Sequence, residues 1–218
     1  TSPMATGSKG TGDVLPPFRI DNTGQIFVHN DAWLNYEEQD VYTLGVEVKD
    51  AGGLTDTAFV TVMVQDINEK PNYAPSLKYV VPENSPFKTP VGAPVTTSDQ
   101  DVGQSYDYAL VGGGDEFDIN PSTGQIFVKA GAKLDFEGPV TTYTVFVQSQ
   151  DDGEPKMKAT VAVEITLSDV NEAPSFKDGI VLAIPENSDT GANAGLPVAS
   201  SVSDPDAGAT FSYSSQKI

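Results

Sequence analysis

Thr160-Val161-Ala162-Val163-Glu164-Ile165-Thr166-Leu167 decides the fold, because its apolar and polar residues alternate with a period of two. Val161, Val163, Ile165 and Leu167 would face a core while Thr160, Ala162, Glu164 and Thr166 face outward, the pattern of a half-buried antiparallel strand. About one hundred residues earlier the pattern returns. Ala58, Val60, Val62 and Val64 lie on one face, with Phe59, Thr61, Met63 and Gln65 on the other. Tyr143, Val145 and Val147 likewise echo Tyr42, Leu44 and Val46. No convincing amphipathic helix interrupts these segments. Short strands punctuated by Gly, Pro, Asn and Asp at roughly ten-residue spacing predict an all-β sandwich.

The duplication is verbatim at Thr23-Gly24-Gln25-Ile26-Phe27-Val28 and Thr123-Gly124-Gln125-Ile126-Phe127-Val128, each a glycine turn leading into a strand. Taken alone, that hexapeptide is architecture and indicates no function. Spacing between matching residues grows slowly, from 99 for Phe18 and Phe117 to 101 for Asp50 and Asp151 and 105 for Asp99 and Asp204. Loop insertions between strands that keep their register produce such a drift.

Carboxylates recur in the same order. Pro82-Glu83-Asn84 matches Pro185-Glu186-Asn187, and Asp99/Asp101 matches Asp204/Asp206. Leu34/Glu37 matches Leu134/Glu137, and Asp66/Asn68/Glu69 matches Asp169/Asn171/Glu172. Acidic groups returning once per unit point to a divalent cation held by hard oxygen ligands. As isolated motifs the Asp-x-Asp pairs read as solvated turns. They are not EF-hand loops, since the glycine comes one position early and the twelfth position is Leu110 or Ser215.

Composition narrows the function classes. The 218 residues include 31 acidic and 12 basic groups, for a formal charge of -19, which disfavours nucleic acid and anionic membranes and favours cations. Without cysteine there is neither a disulfide framework nor a thiolate zinc site. No stretch approaches the roughly 18 apolar residues of a membrane span, and Thr1 to Asp13 lacks the apolar core of a signal peptide, so any anchor is expected outside this chain. A glycosidase pair of carboxylates is a poor reading, because a catalytic pair would not recur in every unit. His29 is the sole histidine and aligns with Lys129, which leaves no catalytic triad or zinc ligand set. Trp33 aligns with Lys133 and reads as packing or as a loop residue.

Together the ordered motifs Pro-Glu-Asn, Asp-x-Asp, Phe-x-Ile with Thr-Gly-x-Ile, Leu-Asp-x-Glu, x-x-Asp-x-Gly and Asp-x-Asn-Glu resemble cadherin repeats from Phe18 onward. The resemblance implies tandem seven-stranded Greek-key β-sandwich repeats of immunoglobulin-like architecture, with the terminal repeats incomplete. Expected boundaries are an incomplete repeat at 1–71, a complete one at 72–173 and an incomplete one at 174–218. It further implies Ca²⁺ at the junctions between repeats. One junction would use Glu83, Asp135, Glu137, Asp169, Asn171, Glu172, Asp204 and Asp206. The earlier one would use Glu37, Asp66, Asn68, Glu69, Asp99, Asp101 and Asp151. There Asn35 stands where the family has Asp and Lys70 follows Glu69, departures that should weaken binding. Asp50 and Glu186 would serve further junctions.

Two carboxylates about 5 Å apart repel by roughly 1 kcal/mol in water and about 3 kcal/mol at an effective dielectric of 20, so a junction without cations should splay. The function expected is a non-enzymatic, extracellular, calcium-rigidified segment of an adhesive or spacer array at a cell surface. Its partners would be Ca²⁺, adjacent repeats of the parent chain and homophilic or heterophilic cadherin-like proteins. Two alternatives are a microbial or protist surface module recognising polysaccharide or protein, and a filament subunit whose copies exchange strands.

Overall fold

The computed structural model describes residues 16–215. In chain order its strands are β1 (Phe18–Ile20), β2 (Ile26–Val28), β3 (Val41–Lys49), β4 (Thr55–Met63), β5 (Asn72–Tyr73), β6 (Leu77–Pro82), β7 (Pro90–Val91) and β8 (Thr97–Ser98). They continue as β9 (Tyr106–Gly112), β10 (Phe117–Ile119), β11 (Ile126–Val128), β12 (Thr142–Asp151), β13 (Lys158–Ser168), β14 (Ser175–Phe176) and β15 (Val202–Ser203). Among the described residues the only helical pieces are two short 3-10 turns, Asp31–Trp33 and Val198–Ser201. The all-β expectation is met. The side chain of Trp33 falls outside the described residues.

Two compact units emerge. One holds the described residues up to Tyr73 with Thr97–Tyr106 and Ser149–Ala159; the other holds Ala74–Thr96, Asp107–Gln148 and the described residues from Thr160 onward.

In the second unit a four-stranded sheet, ordered β6-β13-β12-β9, accompanies a three-stranded sheet, ordered β10-β11-β7. The chain crosses between these sheets after β6, β7, β9 and β11, as a Greek-key sandwich requires. β13 runs parallel to β6, with Val163 opposite Leu77 and Ser168 opposite Pro82. Alternation along β13 is realised, since Val163, Ile165 and Leu167 are buried and Lys158, Thr160 and Ala162 exposed. From the other sheet Val91, Phe117, Ile126 and Val128 complete the core. Each such side chain contributes about 1.5 to 3 kcal/mol on burial. The Phe117 ring meets Tyr143 edge-on across the core, with centroids 5.3 Å apart.

The first unit repeats these parts with less cover. β1 pairs with β2 and β3 with β4, and Phe18 meets Tyr42 edge-on at the same 5.3 Å. Among the described residues β3 and β4 form a sheet of two strands, whereas β12 and β13 belong to a sheet of four. The inward face is accordingly only half-buried at Val60, Val62 and Val64, while Phe59 is 84% exposed on the outer face. Ala58, expected to point inward, is exposed because its register partner Val46 lies toward the turn end of this hairpin, where packing thins. β14 and β15 pair as a short ladder, Phe176 opposite Val202.

Candidate metal centre

In the first unit the chain reversal before β3, the segment after β4 and the loop after β8 bring Glu37, Asp66 and Asp101 together, with carboxylate oxygens within 4.8 Å of one another. Asn35 Oδ1 accepts the Glu37 N–H at 3.0 Å and so aims that segment. Asp99 Oδ1 accepts the Gln100 and Asp101 N–H groups at 2.8 and 3.4 Å, and Asp101 Oδ2 accepts the Glu69 N–H at 2.9 Å. Asp151, the last residue of β12, is only 2% exposed. Its Oδ1 accepts N–H groups from Met157 at 2.9 Å and Gly153 at 3.2 Å, and an amide hydrogen of Asn68 at 3.2 Å. The buried Asn68 amide also donates to Pro155 O at 2.8 Å and accepts from Gln104. A Cβ on Gly153 would lie 1.8 Å from Asn68 Oδ1, so a side chain there would displace the amide.

The second unit repeats this arrangement around Glu83, Glu137 and Asp169, again with oxygens within 4.8 Å. Glu83, 2% exposed, accepts the Phe136 N–H at 2.7 Å and the Val170 N–H at 2.9 Å. Asn84 follows at a φ of 54°, a left-handed conformation that asparagine tolerates better than most residues. Its amide donates to Glu172 Oε1 at 2.8 Å, and its N–H to Leu134 O at 2.9 Å. Asp204 Oδ1 accepts the Asp206 N–H at 3.0 Å, and Asp206 Oδ2 accepts the Glu172 N–H at 2.8 Å. Asp99, Asp101 and Glu69 are linked in the same way.

Crowding marks both clusters electrostatically. The Glu69 carboxyl is pushed up by burial first and then by Asp101, Glu37 and Asp66. Burial likewise raises Glu137, opposed by its own backbone N–H and reinforced by Glu83, Asp169 and Glu172. Asp169 rises through burial, Asp206 and Glu83. Among the described residues the one ion pair, Lys78 with Glu164 at 2.8 Å, joins β6 to β13 and serves neither cluster. Glu69 Oε2, Asp99 Oδ2, Asp151 Oδ2 and Asp206 Oδ1 are buried without a hydrogen-bond partner. Buried acceptors normally find a donor, so two groups of converging carboxylates, with the unpartnered oxygens of Glu69 and Asp206 beside them and no ion pair to either group among the described residues, suit a hard divalent cation. The donor set therefore fits Ca²⁺ chemically.

Several expected ligands lie at the margins of these groups. Asp135 lines a cleft with Asn84 and Glu172, and the Asn171 amide donates to Glu172 O at 3.1 Å. Asp50 accepts the Leu54 N–H at 2.8 Å and closes its own β3–β4 turn, while Glu186 lies in an exposed turn followed by Asn187 at a φ of 61°. Neither belongs to the two groups of three. Sequence reasoning missed Asn84, Gln100 and Gln104. A signal existed for Asn84, the repeated asparagine of Pro-Glu-Asn; none existed for the glutamines, whose counterparts are Pro205 and Ala209.

Comparison with known proteins gives consistent results. A cadherin domain family model matches residues 78–168. The chain is 35% identical over 195 residues to the Drosophila melanogaster protocadherin-like wing polarity protein stan, covering 80% of this chain and 5% of that protein. It is 33% identical over 162 residues to human protocadherin Fat 4, covering 72% of this chain and 3% of that one. Among solved structures, mouse cadherin-23 EC22-24 matches with a TM-score of 0.52 and 25% identity, over 71% of this chain and 50% of that one. Protocadherin gammaB7 EC3-6 shares the fold, with a TM-score of 0.60 at 20% identity over 90% of this chain and 50% of that chain. The chain spans only a small fraction of the length of the curated relatives it matches.

Proposed function

The chain belongs to the cadherin repeat family and is extracellular, and from that premise we propose that it is a calcium-stiffened segment of an adhesive cell-surface array. Its repeats are assigned to 1–71, 72–173 and 174–218, with no catalytic role. The observation that carries the reading is the recurrence of a group of converging carboxylates on the same hydrogen-bonded frame, with buried oxygens left without partners on Glu69, Asp99 and Asp151 in one cluster and on Asp206 in the other.

Glu37, Asp66, Asn68, Glu69, Asp99, Asp101 and Asp151 would hold calcium in one cluster. Glu83, Asp135, Glu137, Asp169, Asn171, Glu172, Asp204 and Asp206 would hold it in the other, with Asp50 and Glu186 reserved for neighbouring junctions. Bound there, Ca²⁺ supplies positive charge shared among six to eight oxygens, at the roughly 10⁻⁴ to 10⁻³ M affinity of extracellular modules. The protein's own contribution is to orient these oxygens in advance. Glu83 ties the Leu134–Glu137 segment to the Asp169–Glu172 segment, and Asp101 and Asp206 tie each linker to the following Asp-x-Asp loop. Partners in adhesion would be adjacent repeats and cadherin-like chains on the same or an opposing surface.

Thermal melting and small-angle scattering in millimolar calcium and in excess chelator test the reading. Calcium should raise the melting temperature and narrow the distribution of shapes. Identical curves in both conditions would refute it.

A further inference from the structure

The two clusters occupy equivalent places but are tied together by different chemistry. Asn35 donates an amide hydrogen to Gln100 Oε1 at 2.9 Å, joining the segment that carries Glu37 to the loop that carries Asp99 and Asp101. Gln104, from the same loop, donates to Asn68 Oδ1, and Asn68 passes the connection to Asp151 and Pro155. These contacts run between neutral amides, or from an amide to a fixed acceptor.

In the second cluster the residues at the Asn35, Gln100 and Gln104 positions are Asp135, Pro205 and Ala209. An ionised aspartate offers only acceptors, and neither proline nor alanine has a side-chain hydrogen-bonding group, so neither tie can form. The loop bearing Asp204 and Asp206 retains only the kind of link that both clusters share, the Glu172 N–H on Asp206 Oδ2 matching the Glu69 N–H on Asp101 Oδ2, and it does so amid carboxylates that repel one another. We infer that Asn35, Gln100 and Gln104 form a metal-independent latch, so that the Glu37 cluster keeps its shape when calcium falls while the Glu83 cluster loosens. This rests on the calcium reading for the Glu83 cluster alone. The chain then carries one permanent joint and one calcium-controlled joint, and its response to falling calcium is confined to the second.

Amide hydrogen exchange, read by mass spectrometry on the 218-residue chain in chelator and in millimolar calcium chloride, tests the latch. In chelator, segments 34–40 and 99–104 should exchange more slowly than segments 134–140 and 204–209. The variant Gln100→Ala/Gln104→Ala should speed exchange in the first pair by roughly threefold to tenfold, the range expected for losing about one net hydrogen bond. Asn35→Asp should do the same in chelator and be rescued by calcium. Equal exchange of the two pairs in the unmodified chain, or no acceleration in the double variant, would overturn the latch. Should calcium fail to slow segments 134–140 and 204–209, the calcium reading fails instead, while the chelator comparison still judges the latch.

Discussion

The carboxylate of Glu83 accepts the backbone N–H of Val170 at 2.9 Å although 87 residues separate them, and its other oxygen accepts the Phe136 N–H at 2.7 Å. Glu83 is thus a clamp between two chain segments before it is a ligand for anything. Glutamine in its place has one acceptor oxygen, and its amide hydrogens would confront the second N–H. A buried donor left unpaired costs about 1 to 3 kcal/mol. Glu83→Gln should therefore lower stability by that amount in chelator as well as in calcium, measured by urea denaturation. An unchanged midpoint in chelator would reduce Glu83 to a metal ligand.

Asp169 should behave with opposite signs in the two conditions. Burial and the charges of Asp206 and Glu83 press against its ionised form, so Asp169→Asn removes repulsion when no cation is present. The variant is expected to melt higher than the unmodified chain in chelator and to gain less from added calcium. Calorimetric scans across a calcium titration would show two curves that cross; parallel curves would exclude the repulsion argument.

Asp21 gives its turn a pH dependence that the equivalent turn at Asn120 lacks. Its Oδ1 accepts from the Thr23 hydroxyl at 2.7 Å and from the Thr23 and Gln25 N–H groups at 2.9 and 3.0 Å, which holds the carboxyl below its ordinary value of 3.8. A lowered native pKa means the folded form binds fewer protons than the unfolded one. The stabilisation is thus present above the ordinary value and is lost as pH falls through the native one. At the equivalent turn Asn120 Oδ1 accepts the Ser122 and Thr123 N–H groups at 3.0 and 3.2 Å and does not titrate. Amide resonances of Thr23 and Gln25 should shift between about pH 5 and pH 2 while those of Ser122 and Thr123 stay put, and Asp21→Asn should abolish the first response.

The repeated hexapeptide offers a stability test. Gly24 and Gly124 both adopt positive φ, 88° and 70°, so alanine costs about 1 to 2 kcal/mol of backbone strain at either. Open space surrounds Gly24, whereas a Cβ on Gly124 would stand 2.2 Å from the Val95 carbonyl oxygen. Gly124→Ala should therefore destabilise the protein by at least about 2 kcal/mol more than Gly24→Ala, since the strand must move or lose the Val95 N–H bond to Gly124 O at 2.9 Å. Similar losses for both variants would contradict the burial of this turn.

The alternation at Thr160–Leu167, the glycine turns before Ile26 and Ile126 and the order of the carboxylates are local properties, set by near neighbours in the chain. They sufficed for the all-β class and for the duplication, while the fold sets Glu37 with Asp66 and Asp101 and Glu83 with Glu137 and Asp169. Burial is different, because it depends on which distant strand arrives alongside. Val28 and Val128 end identical hexapeptides, yet Val28 is 52% exposed and Val128 is 1% exposed. Among the described residues β2 pairs only with β1, while β11 sits between β10 and β7, where Ile126 lies opposite Val91. Glutamines 100 and 104 likewise look like ordinary polar loop residues until the fold sets Asn35 and Asn68 beside them. The sequence by itself determined the strands, the repeat and the order of the acidic residues; the tertiary structure alone decided which carboxylates are buried and which amides hold them, because both follow from contacts between residues tens of positions apart.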